Sequence, residues 1–147
     1  MAVHKSDQIT NIDASPRVYL KPNEHGYIER RWFSFTTPAG NVAIADTIQL
    51  CKVPKSARVV GGFCSFEAMS TGAGAAGAEI GDGTTSTKFK AETSVDAAGT
   101  FRFGESIAEN FGLEATAAEF TLTATARTEA WAAAKKFYGY VDLLLRN

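Results

Sequence analysis

A chain of 147 residues, 45% apolar and 21% charged, is sized for one globular domain with a sizeable core. Its net charge of −1 and its scattered Lys and Arg residues offer no basic stripe for nucleic acid and no field toward an acidic membrane. No run is long and apolar enough to span a bilayer, and Met1 to Gln8 lacks the apolar centre of a signal peptide, so the expectation is a protein made in a cytoplasm.

Residues 1–26 read as an extended arm: polar, punctuated by Pro16 and Pro22, with Ile9, Ile12, Val18, Tyr19 and Leu20 as scattered apolar anchors. Such an arm buries too little alone to offset its ordering entropy, so its expected partner is a neighbouring subunit or another protein. Residues 27–147 read as the folded domain. Tyr27 to Thr37 sets Phe33 and Phe35 on one face and breaks at Pro38-Ala39-Gly40-Asn41. Val42 to Val53 is a second strand, bent near Asp46, and Pro54-Lys55-Ser56 turns the chain. Ala57 to Met69 is a long strand in which Gly61-Gly62 signals a bulge or a bend. Ala78 to Ile80, Phe89 to Val95 and Thr100 to Ile107 are shorter strands.

Ser106-Ile107-Ala108-Glu109 fits a helix-capping box, with Gly112 as a stop. Glu119 to Arg127 alternates most cleanly: Phe120, Leu122, Ala124 and Ala126 on one side, threonines and end charges on the other, as in a half-buried strand. Glu129 to Lys136 is a short helix or a hairpin loop, and Phe137 to Leu145 is the last strand. About eight short strands at regular spacing predict an all-β fold, a single β-sandwich, with an eight-stranded jelly roll preferred over other sandwiches.

Gly72-Ala73-Gly74-Ala75-Ala76-Gly77 matches G-x-G-x-x-G, but Gly81-Asp82-Gly83 stops any helix that would face a pyrophosphate, so a flexible loop is expected and no cofactor. Asp82 in Gly81-Asp82-Gly83-Thr84 suits a turn in which its side chain bonds its own backbone better than a calcium site, which needs more carboxylates. Cys51 and Cys64 are expected as buried thiols, a disulfide remaining open if their strands pair. Two cysteines with the distant His4 and His25 build no zinc site, and no nucleophile has an activating context, so no metal and no catalytic residue is assigned. Trp131, in a segment of small residues, is either a loop aromatic at an interface or a cap on the core. With Ile12, Tyr19, Leu20 and Tyr27 it completes the candidate protein-contact residues.

The run Leu50-Cys51-Lys52-Val53-Pro54-Lys55-Ser56-Ala57-Arg58-Val59-Val60-Gly61-Gly62 resembles small structural proteins of tailed bacteriophages. So do Ala78-Glu79-Ile80-Gly81-Asp82-Gly83, Ala97-Ala98-Gly99 and the closing Phe137-Tyr138-Gly139-Tyr140-Val141-Asp142-Leu143. Over Val42 to Leu145 the chain is similar to capsid decoration, or cement, proteins. The resemblance implies a non-enzymatic sandwich on the outer capsid surface of the virion, binding the major capsid protein and itself as a homo-oligomer, a trimer being favoured, with neither nucleic acid nor membrane as partner. A low-copy neck or tail component and a carbohydrate-binding sandwich are the alternatives; the last predicts glycan binding through Trp131.

Overall fold

The computed structural model describes residues 26–109 and 118–146, so the arm anchors Ile12, Tyr19 and Leu20 and the helix stop Gly112 lie outside the described residues. Eight strands are present: β1 (Gly26–Thr36), β2 (Thr47–Val53), β3 (Arg58–Phe66), β4 (Gly77–Gly81), β5 (Lys90–Ser94), β6 (Gly99–Phe103), β7 (Phe120–Arg127) and β8 (Lys136–Arg146). They form two four-stranded antiparallel sheets, ordered β1-β8-β3-β6 and β2-β7-β4-β5. Except for β5, which pairs only with β4, each strand pairs with one distant in sequence, and this order is that of a jelly-roll sandwich.

Period-two alternation turns one face of each sheet inward. Phe33, Val59, Cys64, Phe66, Phe137, Val141 and Leu143 from the first sheet meet Ile48, Val53, Ile80, Leu122, Ala124 and Ala126 from the second. Phe66, Phe101 and Phe33 lie around Phe137 with ring centroids 6.4 to 6.5 Å apart. Gly139 makes room for this packing: a Cβ there would overlap the Phe63 carbonyl oxygen of the adjoining strand and sit 3.0 Å from the Phe33 ring.

Several expectations change in detail. The second strand does not begin at Val42, which makes only an isolated bridge to Trp131; the chain turns through Ala45 at φ 70° before β2 starts at Thr47. The side chain of Asp46 accepts from the Ala43 N–H and closes that turn. Gly61-Gly62 does carry the bulge, with the register against β8 shifting between Val59 and Gly61. The capping box closes only a 3₁₀ turn, Ile107–Glu109, with the Ser106 hydroxyl accepting from Glu109 N–H at 3.2 Å. β7 is not half-buried: Thr123 and Thr125 are as buried as the residues facing the core. The β4–β5 connection folds over them, with Gly83 N–H donating to Thr123 Oγ1 and Ser86 accepting from Arg127.

A candidate interaction face and a pinned loop

The outward face of the β1-β8-β3-β6 sheet carries a row of large side chains. Trp32 pairs with Tyr140, Tyr140 with Phe63, and Phe63 with Arg102, so one register row crosses all four strands. The rings interlock: Trp32 meets Tyr140 edge-on at 5.1 Å, and Phe63 stacks on Tyr140 at 5.7 Å. One row along, Arg30 binds both carboxylate oxygens of Asp142, at 2.8 and 2.9 Å, and its guanidinium lies 3.7 Å from the centre of the Tyr140 ring. Arg102 is held by Glu105 at 2.7 Å. The face is thus charge-balanced and aromatic, and Trp32 on it is 68% exposed.

Trp, Tyr and Arg in this combination are the residues that dominate protein–protein contacts. The row is less suited to sugar. Trp32 and Tyr140 are inclined by 67°, and the Tyr140 ring packs against Arg30 and Phe63, so no flat aromatic platform forms.

Trp131 lies elsewhere and takes the core reading. It is 0% exposed, stacks on Phe137 at 5.6 Å and donates from Nε1 to the Gly77 carbonyl at 2.9 Å. Its backbone bridges both Val42 and Ser70, so it closes one end of the sandwich and presents no surface for a partner or a glycan. Tyr27, at the start of β1, is exposed. Trp32 was not among the sequence candidates, although the signal existed: the alternation that turns Phe33 and Phe35 inward turns Trp32 outward.

The glycine-rich segment is pinned by its own chain. The Glu129 carboxylate accepts from the Thr71 hydroxyl, Thr71 N–H (2.7 Å), Ala73 N–H (3.2 Å), Ala75 N–H (3.0 Å) and the Ser70 hydroxyl (3.0 Å). Those donors, the Thr71 hydroxyl first, hold its pKa down at about 2. Backbone N–H groups of a glycine-rich loop form an anion cradle; here the anion is Glu129, which replaces the expected flexible loop with a fastened one.

Asp82 forms the expected turn, accepting from Thr84 and Thr85 N–H through Oδ1 and pairing with Lys88 at 2.7 Å. Burial opposes its ionisation, but the Lys88 ammonium and the two N–H groups outweigh burial and hold its pKa below the ordinary carboxylate value. Cys51 and Cys64 sit on strands of different sheets and are free thiols; burial pushes Cys51 up to about 11 and raises Cys64 well above its ordinary value.

No protein-family model and no curated protein matches this chain. Solved structures do. The chain shares its fold with chains of three bacteriophage capsids. A chain of the cyanophage Pam1 capsid asymmetric unit superposes with a TM-score of 0.66 at 20% identity, over 90% of this chain and 96% of its own. A chain of the Ralstonia phage GP4 capsid gives 0.68 at 19%, over 82% and 86%. A chain of the acid-stable capsid of Helicobacter pylori bacteriophage KHP30 gives 0.53 at 13%, over 84% and 95%. At these identities the likeness is one of fold. Because the match covers most of each neighbour, those chains are themselves little more than this one sandwich.

Proposed function

We propose that this protein is a non-enzymatic bacteriophage virion protein that binds the outside of the capsid lattice and stabilises the mature head as a decoration protein. The observation that carries the reading is the likeness to capsid chains over most of their length. The aromatic face supports it, because a charge-balanced surface built on Trp32, Tyr140 and Phe63 suits a protein partner. The partners are the major capsid protein and further copies of the chain, a homotrimer being favoured. Stabilisation follows from mass action: copies bind the assembled lattice and not its dissociated parts, and each adds its binding free energy to the assembled state. Simultaneous engagement of several copies in an oligomer strengthens the hold.

The test is quantitative mass spectrometry of gradient-purified particles. Abundance near that of the major capsid protein supports decoration. A few copies per particle points instead to the neck or tail, and absence from particles overturns a virion role. In a reconstitution with undecorated heads, Trp32→Asp should lose binding while the isolated protein stays folded.

A further inference from the structure

β1 is the one long, regular open edge among the described strands. The edge strands are β1 and β6 in the first sheet and β2 and β5 in the second. β5 and β6 have five residues each, and the pairings of β2 and β5 are interrupted by register shifts. β1 has 11 residues, contains no proline, and pairs with β8 from Gly26 to Thr36 without a shift. Short strands, bulges and prolines stop an edge from pairing further, and β1 has none of them. Its charges, Glu29, Arg30 and Arg31, are of both signs, so they select a partner strand and do not simply repel one.

The direction of the backbone groups on this edge follows from two bonds of the neighbouring strand. Thr37 N–H donates to the Lys135 carbonyl, and Glu67 N–H to the Lys136 carbonyl. Odd-numbered residues of β8 therefore turn their backbone groups toward β1, and even-numbered ones toward β3. β1 pairs odd with odd throughout, so Ile28, Arg30, Trp32 and Ser34 turn their N–H and C=O groups to the open edge, where no strand of the described residues lies.

We infer that β1 pairs edge to edge with β1 of a second copy of this chain, antiparallel, about a two-fold axis at Arg30. Charge chooses that register. The axis at Arg30 sets Glu29 opposite Arg31 of the second copy and Arg31 opposite its Glu29, on the side where Arg31 reaches the Lys52 carbonyl. Moving the axis to Glu29 or to Arg31 sets like charges together, and no other register that keeps the backbone bonds places a carboxylate opposite a guanidinium. At the axis Arg30 faces Arg30, but each is balanced by two bonds to Asp142. On the outward side Ile28, 65% exposed, comes opposite the still more exposed Trp32 of the second copy, and Trp32 opposite its Ile28. The backbone groups of Arg30 then pair across the axis, with those of Ile28 and Trp32 on either side of it. Two four-stranded sheets become one continuous sheet, and the two aromatic rows meet on one face. This two-fold contact is separate from any three-fold contact between copies, and it rests on no part of the proposed function.

The test uses the full-length isolated protein, with links mapped by non-reducing peptide analysis. Arg30→Cys should link to itself on oxidation, because residues directly opposite in such a pair have Cα atoms about 5.5 Å apart. Ile28→Cys alone should not link, since it lies four residues, about 13 Å, along the strand from its equivalent; mixed with Trp32→Cys it should. Sedimentation equilibrium should find an even number of copies. Glu29→Lys and Arg31→Glu should each weaken association about tenfold, and an equimolar mixture of the two should restore it, since only the mixed pair keeps opposite charges across the edge. A monomer, an odd-numbered assembly or no link at Arg30→Cys overturns the inference. So does a link in Ile28→Cys alone, or charge variants that associate as tightly as wild type. Head binding is scored separately: protein that decorates heads without linking at Arg30→Cys removes this inference and leaves the function standing, and linked protein absent from heads does the reverse.

Discussion

The two tryptophans of this chain make opposite predictions, and replacing each in turn tests the sandwich directly. Trp131→Phe keeps a ring against Phe137 but removes the indole N–H, leaving the Gly77 carbonyl without its 2.9 Å partner in a fully buried site. An unpaired buried carbonyl costs about 1–3 kcal/mol. The smaller ring forfeits roughly another 1 kcal/mol of burial and packing. The expected loss is therefore about 2–4 kcal/mol, a large share of the ~7–22 kcal/mol that a chain of this length commands. Trp32→Phe retains an edge contact to Tyr140 on an open surface and should cost no more than about 0.5 kcal/mol. Urea unfolding followed by circular dichroism measures both, the midpoint moving at constant slope if only stability changes. Each variant also leaves a single tryptophan as reporter: Trp131 alone should emit in the blue and Trp32 alone near the position of a solvated indole. Equal losses, or red-shifted emission from Trp131 in folded protein, would refute the assignment of one ring to the core and the other to the surface.

Glu129 makes the loop at residues 70–75 sensitive to acid. Its pKa is depressed, so its contribution is complete above the ordinary carboxylate value and disappears as pH falls through about 2; Glu129→Gln should abolish that part of the acid transition and weaken amide protection at Ala73 and Ala75 at neutral pH. Gly139→Ala should fail to fold or fall below half of wild-type soluble yield, whereas Gly40→Ala, with open space around it, should match wild type in thermal denaturation. The thiols should be inert in the native state. With Cys51 raised to about 11, its thiolate at pH 8 is about 100-fold scarcer than at its ordinary value of 9.0, so a thiol reagent should label neither cysteine quickly until denaturant releases both.

The strands were legible because their signal is local. Alternation at period two marks Phe33 and Phe35, or Leu122, Ala124 and Ala126, as sharing a face whatever lies opposite. Turn residues mark the ends, as Pro54 does before β3, where Ala57 N–H reaches the Pro54 carbonyl. The bulge at Gly61 and the side-chain turn at Asp82 belong to the same class: a few consecutive residues contain the whole cause.

What the local pattern lacks is the identity of the partner across the sheet. Alternation along β1 turns Trp32 outward, but Trp131 stands in the connection between β7 and β8, and nothing within a few residues of it says that it is enclosed. Enclosure is decided by sandwich closure, which brings Val42, Ser70 and Gly77 around Trp131 and leaves Trp32 largely exposed. The same holds for Glu129, whose donors lie 54 to 59 residues earlier in the chain, and for Thr123 and Thr125, buried by a connection about 40 residues away. Backbone direction and face parity are consequences of neighbouring side chains and follow from order in the chain. Burial, charge pairing and the exposed aromatic row depend on which strands come to lie side by side, and only the closed fold brings those distant residues together.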